Sequence, residues 1–575
     1  MILGPMGNFI SLSSRRYSVW CVIVFCLLML PLSALNGAQF FNDWAATNLV
    51  SVPSQNGPLD DPDNDGTANL AEFTFGTDPL AGSGFGNSIL PVPTGTDGVF
   101  QVSLFEQGGH KPGVQIDVDA TVDLVHWIRP WWLRTTNSLP GDPTNSVRET
   151  FITYLPGANL FIVRAAVHLI EAGPEAANYY VATNGNDGAS GTSINTPYRS
   201  LAKAASLATT GNLIYVRGGT YSMSNKIVFT HSGSPAQPIR LRAYPGELPI
   251  LDCTLTADGT DCLVVSGNCW QVYGLMITNS GHNSIRILRD SNIVERCVSY
   301  GARNTGIHIS GGNGAAIYPS SNLVLNCDVT RSYDLPKYGQ DADGFSAKWS
   351  LGNDNVFRGC RSWENSDDGW DLWMGSAPVL IENCWAFRNG IDFWGAGSNF
   401  AGNGNGFKLG GSGTPTVHHL VGSLSFGNRV WGVDQNDNAD GQIVDQNTVW
   451  NNGGGAINLN HLLSQYGVLQ SSHVLRNNAA IGTVTIGSTS AYPSIQISNT
   501  WQVLPDVNTN DFLSTDWTWA MAPRRDDGGL PETPFMRPVP GGRLVDLGTT
   551  NVGIAFYGSA PDLGAFESPT WDGLH

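Results

Sequence analysis

The stretch VFRGC at residues 356–360 decides the fold, because LIENC at 380–384 repeats its pattern of an apolar strand that ends in a small residue. The cysteines that end these two stretches are 24 residues apart, and Ser423 and Asn447, which end two later copies, are separated by the same interval. A repeat of roughly 20 to 50 residues indicates a solenoid. Further copies, spaced more widely by insertions, lie at 293–297 and 323–327.

Each repeat is short and carries two or three β-type runs without a helical period, which favours a parallel β-helix. The L-x-x-L-x-L framework of leucine-rich repeats is absent. An asparagine five residues after four of the anchors predicts a hydrogen-bonded ladder at a turn. These asparagines are Asn365, Asn389, Asn428 and Asn452.

The composition agrees with a turn-rich β protein, since the 575 residues include 68 glycines and 18 tryptophans and only 14% are charged. A net charge of −18 excludes nucleic acid as a partner, because phosphate backbones need clustered Lys and Arg. Of nine cysteines, two lie in the first 38 residues and seven remain, an odd number that cannot pair fully. We expect Cys297, Cys327, Cys360 and Cys384 to stack inward as small apolar side chains, while a bridge among Cys253, Cys262 and Cys269 stays possible.

The first 38 residues have the pattern of a secretory signal peptide. Arg15 and Arg16 precede an apolar run at 19–32 and a small-residue region at 33–38. An uncleaved membrane anchor is the alternative, but the run is short for a spanning helix and contains Pro31. We therefore expect a secreted or cell-surface monomer without lasting membrane insertion.

Residues 61–72 (DPDNDGTANLAE) follow the EF-hand calcium-loop pattern, with glycine at the sixth position. A plain acidic turn is the alternative. Only one such loop is visible, so it predicts a calcium-rigidified connector rather than a docking module. The candidate ligands are Asp61, Asp63, Asp65, Thr67, Asn69 and Glu72.

The chain divides into four predicted parts. The signal peptide covers 1–38 and the connector 39–88, and alternating apolar and polar runs predict a small antiparallel, sandwich-like β domain at 89–175. The β-helix covers 176–568 and begins with a strand at 179–181, followed by a short capping helix at 200–207.

Three stretches share the order polar, glycine, aromatic, polar: 343–346 (DGFS), 368–371 (DGWD) and 405–408 (NGFK). Adjacent coils of a parallel sheet lie about 4.8 Å apart, so the stretches would superpose on one flank. One column then contains His308, Ser346, Asp371, Lys408, Asp434 and Asn458, and its neighbour contains Asp343, Asp368 and Asn405.

Four carboxylates, those of Asp343, Asp367, Asp368 and Asp371, gather at this place. Like charges so close raise each other's pKa unless a cation neutralises them. Ca²⁺ suits such a set better than Mg²⁺, which prefers few protein ligands and several waters. Lys408, one coil from Asp371, can act as a general base if the cation favours its neutral form. A metal beside a base suits β-elimination from a uronic acid, in which no water attacks the glycosidic bond.

These segments resemble the signature segments of the family nine polysaccharide lyases, which are pectate lyases with a right-handed parallel β-helix. The resemblance rests on 341–348, 365–371 and 402–411, and it extends over roughly 179–567. It implies an acidic polysaccharide substrate, a lysine base at Lys408 and a calcium site formed by the four aspartates. Lys348 and Arg429 are candidates for binding substrate carboxylates, with solvated surface residues as the plainer interpretation.

Two other functions stay open. A β-helical glycoside hydrolase of the polygalacturonase kind would use paired carboxylates around an attacking water, and Asp367 and Asp368 could imitate that pair. The histidine and basic motifs expected downstream of such a pair are missing. A non-catalytic, calcium-stabilised carbohydrate-binding solenoid is the second alternative.

Overall fold

The protein contains three long parallel sheets that one coiled chain builds in turn. The computed structural model describes residues 175–525, 527–552, 556 and 558–568, and eight strands in the preceding part of the chain. Each full coil adds one strand to each of the sheets, which we name A, B and C, and all pairings within them are parallel. The parallel β-helix expected from the repeat is therefore confirmed.

Sheet A has twelve strands and sheets B and C have ten each. The strands of sheet A are Tyr179–Val181, Leu213–Val216, Ile239–Ala243, Trp270–Tyr273, Ile293–Glu295, Leu323–Leu325, Asn355–Arg358, Val379–Glu382, His419–Val421, Ile443–Asp445, Val474–Arg476 and Ile495–Ile497. Those of sheet B are Gly219–Ser222, Pro249–Asp252, Met276–Thr278, Val298–Tyr300, Asp328–Thr330, Arg361–Trp363, Trp385–Phe387, Leu424–Phe426, Thr448–Trp450 and Ala479–Ile481. Those of sheet C are Ile227–Phe229, Leu263–Val265, Ile285–Ile287, Ile307–Gly312, Phe345–Trp349, Trp370–Asp371, Phe407–Lys408, Trp431–Asp434, Gly455–Leu459 and Val484–Ile486.

The helices and 3₁₀ turns of the described residues are few and short. The predicted capping helix is present as Leu201–Leu207, with Leu201, Ala204 and Ala205 buried and the Ser200 hydroxyl accepting a hydrogen bond from the Lys203 backbone N–H. The second α-helix is Thr500–Val503, and the 3₁₀ turns are Leu335–Lys337, Gly397–Asn399, Ser464–Tyr466, Thr509–Asp511 and Trp517–Met521. Among the described residues, no helix combines the length and apolar character needed to cross a bilayer.

Two four-stranded sheets precede the β-helix in the chain. One joins Ile89–Pro93, Val99–Gln107, Ser146–Tyr154 and Leu133–Asn137 in antiparallel pairs. The other joins Ile10–Ser11, Trp20–Ile23, Leu160–Leu169 and Val114–Thr121. The EF-hand-like loop at 61–72 and most of the predicted signal peptide lie outside the described residues.

Side chains stack inside the β-helix in columns that follow the repeat. In sheet C the rings of Phe345, Trp370 and Phe407 stack with centroid separations of 4.7 and 4.9 Å, and all three are fully buried. Successive strand residues point to opposite faces, so the residue after each ring points outward. The inward rings thus fix the outward position of the polar residue that follows them.

The four aligned cysteines form the predicted inward stack. Cys297, Cys327, Cys360 and Cys384 are at most 1% exposed, and their thiols donate to backbone carbonyls within the core. All seven cysteines of the described residues are free and buried. No disulfide therefore links the coils within the part of the chain that the structure describes.

The predicted asparagine ladder is also present. Asn365 donates through its backbone N–H and its side-chain amide to Asn389 Oδ1, at 3.2 and 3.1 Å, and Asn389 donates in the same way to Asn428. Asn428 continues the ladder to Asn452. The ladder satisfies backbone groups at the bend between sheets B and C, just before the strands that carry the outward polar residues.

The part of the chain that follows the helix Thr500–Val503, which we name the C-terminal segment, covers the outer face of sheet B. Trp385, Phe387 and Phe426 point away from the β-helix interior into an apolar cluster with Phe535 and Leu563. A buried ionic network anchors the same segment to the coils. Arg361 binds Asp328 with two hydrogen bonds of 2.9 and 2.8 Å and also donates to the carbonyls of Ala520 and Ala522, while Arg524 binds Asp328 at 2.6 Å.

Asn389→Ala should destabilise the protein by about 2–4 kcal/mol, because it leaves both Asn365 donors without an acceptor in a buried turn and removes one of the two donors to Asn428 Oδ1. Thermal or denaturant unfolding measures the loss. Asn353→Ala removes an exposed asparagine side chain and should be neutral. Equal stability of the two variants would show that the ladder contributes nothing.

Candidate active site

The two predicted columns of polar residues are present: one lies on sheet C, and the other lies in the turns just before its strands. Parallel register pairs His308 with Ser346, Ser346 with Asp371, and Asp371 with Lys408. The column continues through Asp434 and Asn458. In the neighbouring column, the Asp368 backbone N–H approaches Asp343 Oδ1 at 3.4 Å, and the Asn405 backbone N–H donates to Asp368 Oδ1 at 2.7 Å.

The glycine between the two columns is required by the close approach of sheets B and C. A Cβ atom on Gly344 would lie 1.9 Å from Ser362 Oγ, and one on Gly406 would lie 2.1 Å from Ser425 Oγ. Any larger residue would push the turn away from the core. The recurring glycine therefore holds the polar residues on either side of it in register from coil to coil.

Three carboxylates form a compact buried cluster. Asp343, Asp368 and Asp371 each offer an oxygen, and these oxygens all lie within 4.8 Å of one another. Their residues are between 0 and 3% exposed. The Asp367 carboxylate is equally buried but lies beside this cluster, where its Oδ1 accepts a hydrogen bond from the Asn403 backbone N–H at 2.8 Å.

Two buried lysines neutralise part of this charge. Lys348 Nζ lies 2.8 Å from Asp343 Oδ2 and 2.6 Å from Asp371 Oδ2. Lys408 Nζ lies 3.1 Å from Asp368 Oδ2 and 3.4 Å from Asp371 Oδ2. Asp371 thus receives both ammonium groups. A buried charge is tolerated only when it is paired, so the lysines and aspartates form one coupled unit.

The surrounding chain orients each carboxylate. The Asn405 side-chain amide donates to Asp368 Oδ1 at 3.0 Å, and the Thr305 hydroxyl donates to Asp343 Oδ2 at 3.2 Å. The Trp373 backbone N–H donates to Asp371 Oδ1 at 2.9 Å. Because these donors sit on fixed backbone turns, the oxygens are held in place rather than free to rotate.

Burial and charge shift the pKa values of these groups in opposite directions. Burial, with repulsion from Asp371 and Asp368, raises the pKa of Asp343 to about 7 despite the attraction of Lys348. Burial also raises the pKa of Asp367 and Asp368. For Asp371, burial is outweighed by Lys348 and Lys408, and its pKa falls below the usual range.

The same four aspartates hold Lys408 in its charged form. Burial alone would lower its pKa, but the charges of Asp368, Asp371, Asp367 and Asp343 outweigh burial and raise it well above the ordinary value. A lysine can accept a proton only when it is neutral. A base at this position therefore requires an additional positive charge close to the carboxylates.

The residues present fit a hard divalent cation. Asp368 Oδ2 is buried and accepts no hydrogen bond from the described residues, although Lys408 Nζ is 3.1 Å away. An unsatisfied buried carboxylate oxygen is costly, and a metal ligand bond would satisfy it. Carboxylate oxygens are the ligands that Ca²⁺ prefers, and its variable coordination number suits an irregular set.

The other predicted residues have more particular surroundings. Lys348, predicted to bind substrate, lies between Asp343 and Asp371 in the cluster itself. Arg429 donates to the Gly402 carbonyl at 2.6 Å and lies against the Phe400 ring, so it supports the loop that leads to Asn405. The six candidate ligands of the EF-hand-like loop lie outside the described residues.

Sequence reasoning missed Thr305 and Asn403, and it did not place Lys348 inside the carboxylate cluster. Thr305 occupies the position of Asp343 one coil earlier, in a stretch of the same pattern (TGIH at 305–308) that could have revealed it. Lys348 is two residues after Ser346 and therefore on the same outward face, which strand alternation could have shown. Asn403 orients Asp367 through its backbone N–H, which every residue except proline has, so the sequence contains no signal for this role.

Comparisons with known proteins agree with this architecture. The family model described as the Pel9A-like, right-handed β-helix region matches residues 179–478. Pectate lyase L of Dickeya chrysanthemi is 38% identical over 400 residues, which cover 68% of this chain and 90% of that protein. The crystal structure of pectate lyase Pel9A is similar with a TM-score of 0.61 at 37% identity, covering 68% of this chain and 96% of that one.

A rhamnogalacturonan lyase is similar with a TM-score of 0.54 at 25% identity, covering 62% of this chain and 95% of that one. The family match includes every residue of the carboxylate cluster and both lysines. The resemblance to the family nine polysaccharide lyases is thus confirmed. The chain belongs to the Pel9A-like right-handed β-helix family and is a polysaccharide lyase.

Proposed function

We propose that the protein is a calcium-dependent pectate lyase that cleaves polygalacturonate-type uronans by β-elimination. The observation that carries this proposal is the pairing in register of Asp371 with Lys408, which brings a buried lysine to the edge of a buried carboxylate cluster. Pectate lyases among the similar proteins support the substrate class.

The aspartates Asp343, Asp367, Asp368 and Asp371 would hold the ion, with Asp368 Oδ2 as the oxygen most in need of a partner. Calcium bound there would supply positive charge, which would offset the pull of the carboxylates on the Lys408 proton and polarise a uronate carboxylate. Asn405 and Asn403 keep two of the aspartates oriented through the hydrogen bonds described above.

Lys408 then acts as the base. Its Nζ takes the proton from the carbon next to the uronate carboxylate, the electrons of that C–H bond form a carbon–carbon double bond, and the glycosidic C–O bond breaks. The departing oxygen takes up a proton from solvent and becomes a hydroxyl group of the released chain, and Lys408 returns the proton it received to solvent. Lys348, already close to Asp343 and Asp371, stays protonated and adds positive charge where the substrate acquires negative charge.

Hydrolysis fits the site less well. An inverting hydrolase separates its carboxyl groups by about 6.5–9.5 Å to leave room for a water, and a retaining one by about 5–5.5 Å. Here the oxygens offered by Asp343, Asp368 and Asp371 lie within 4.8 Å of one another and share two lysines, while Asp367 lies beside this cluster with its Oδ1 bound by the Asn403 backbone. The arrangement supports a base beside a cation rather than an acid and base on opposite sides of a bond.

We further propose that the protein is exported as a monomer after cleavage near Ala38, on the strength of Arg15, Arg16 and the apolar run at 19–32. The EF-hand-like loop at 61–72 would bind a second calcium ion and stiffen the connector to the catalytic part.

Lys408→Ala should lower the rate of elimination about a thousandfold, because no other described group replaces the base. Lys408→Arg should be equally inactive, since a guanidinium keeps the charge but does not release a proton at working pH. The assay is the ultraviolet absorbance of the unsaturated product formed from polygalacturonate.

Lys226→Ala is the control for these variants, because Lys226 is an exposed lysine on another part of the β-helix and should leave the rate unchanged. Undiminished cleavage by Lys408→Ala would remove Lys408 as the base. Product without ultraviolet absorbance would instead favour hydrolysis.

Chelation should abolish cleavage, and Ca²⁺ rather than Mg²⁺ should restore it. Asp368→Asn should need a much higher calcium concentration for half-maximal rate, because it removes the charge of a buried carboxylate whose Oδ2 accepts no hydrogen bond from the described residues. The cleavage rate is measured as a function of calcium concentration for the wild-type protein and for Asp368→Asn.

Glu382→Gln removes a half-buried carboxylate on sheet A, one that pairs with Arg358 far from the cluster, and is the matched control for that titration. Since the EF-hand-like loop is unchanged in Asp368→Asn, any difference between the two titrations belongs to the site on sheet C. Full activity of the wild-type protein in excess chelator would contradict the calcium requirement.

A further inference from the structure

A cleft of about 660 Å³ opens beside the carboxylate cluster and extends along sheet C toward earlier coils. Lys348, Trp349 and Trp373 line its end nearest the cluster. Asp258, which precedes the sheet C strand four coils before that of Asp371, lines the other end. The cleft therefore follows the stacking direction, as a groove for an extended polymer would.

Arg286 lies on the floor of this cleft, in the same outward column as the site. Parallel register pairs Arg286 with His308, His308 with Ser346, and Ser346 with Asp371. Three steps of about 4.8 Å place Arg286 roughly 14 Å from the position of Asp371 along the column. A chain lying in the cleft would pass over both residues.

The Arg286 guanidinium makes no hydrogen bond with any described residue. Its Nε is buried without a partner, and its Nη1 lies 3.8 Å from Asp261 Oδ2, beyond hydrogen-bond distance. Asp261 is already engaged by His282 Nδ1 at 2.7 Å and by the Asn283 side-chain amide at 2.9 Å. The Arg286 side chain is only 29% exposed, so its N–H donors contact less water than they would at the surface. No hydrogen bond from the described residues compensates for this loss of hydration.

The other fixed cations that line the cleft have close carboxylate partners. Lys348 binds Asp343 and Asp371, Lys337 binds Asp341, and Arg303 lies 3.4 Å from Asp258. Burial and the charge of Lys348 lower the pKa of His308, which leaves this histidine neutral. Among the described lining residues, Arg286 is thus the permanent cation best placed to receive an anion.

The charge of the whole molecule makes such a contact useful. A chain with a net charge of −18 repels an anionic polymer at long range, so a uronan needs local cations along its path. Arginine binds carboxylates through paired N–H groups in a planar fork, which gives both affinity and direction.

We propose that Arg286 binds the carboxylate of a second uronate residue on the same polymer, a few sugar units from the bond that is cleaved. This positioning residue makes the enzyme selective for chains long enough to extend from Asp371 to Arg286. The inference rests on the proposed function for its substrate class, and on the cleft and a guanidinium that makes no hydrogen bond with the described residues for its location.

Arg286→Gln should raise KM for polygalacturonate and for long oligogalacturonates about tenfold, with kcat unchanged. A trigalacturonate is too short to extend from the reacting bond to Arg286, so its kinetic constants should be the same for both proteins. Arg286→Lys keeps the positive charge but loses the planar pair of N–H donors. Its KM for the polymer should lie between those of the wild-type protein and Arg286→Gln. Thermal unfolding checks that each variant is folded.

Arg289→Gln is the matched control, because it removes the same charge three residues later on a side chain that does not line the cleft. The inference is overturned if Arg286→Gln leaves KM unchanged, if both glutamine variants raise it equally, or if the trimer is affected as much as the polymer.

Direct binding separates this inference from the proposed reaction. Hexagalacturonate is titrated calorimetrically, in calcium-containing buffer, into Lys408→Ala and into the double variant that adds Arg286→Gln. A tenfold weaker affinity of the double variant supports the contact even if the wild-type protein forms no unsaturated product, a result that would refute the lyase reaction alone. Equal affinities would refute the contact alone.

Discussion

The parallel register between neighbouring coils is the constraint on which the rest of the molecule depends. It makes residues that are tens of positions apart in the sequence neighbours at about 4.8 Å, and it does so through backbone hydrogen bonds that are indifferent to the side chains they carry. The inward rings of Phe345, Trp370 and Phe407 and the glycines before them lock that register. The site is therefore assembled by the scaffold rather than by attraction among its own charges.

Left to themselves, the charges would oppose the fold. Three carboxylates within 4.8 Å of one another and nearly excluded from water repel strongly, and the raised pKa of Asp343 expresses that cost. Lys348 and Lys408 relieve part of it by pairing. The folding energy of the coils offsets the remaining repulsion. The result is an anionic, pre-organised centre in which Asp368 Oδ2 accepts no hydrogen bond from the described residues and favours the binding of a cation.

The sequence predicts the columns well because strand alternation and a fixed turn glycine translate spacing directly into position. His308, Ser346, Asp371 and Lys408 could be aligned by counting alone. Counting does not give the reach of a long side chain, and so the place of Lys348 inside the cluster was missed. The covering of sheet B by the C-terminal segment was missed for a different reason. That segment has no repeat, and its contacts with the coils join residues far apart in the chain.

The column of reduced sulfur atoms has a consequence for how the molecule can be made. Cys297, Cys327, Cys360 and Cys384 contribute volume and weak hydrogen bonds to the core without covalent links. Stability of the β-helix then owes nothing to the thiol–disulfide balance of its surroundings. The same coils can form in a reducing or an oxidising compartment, and they need no isomerase to sort partners.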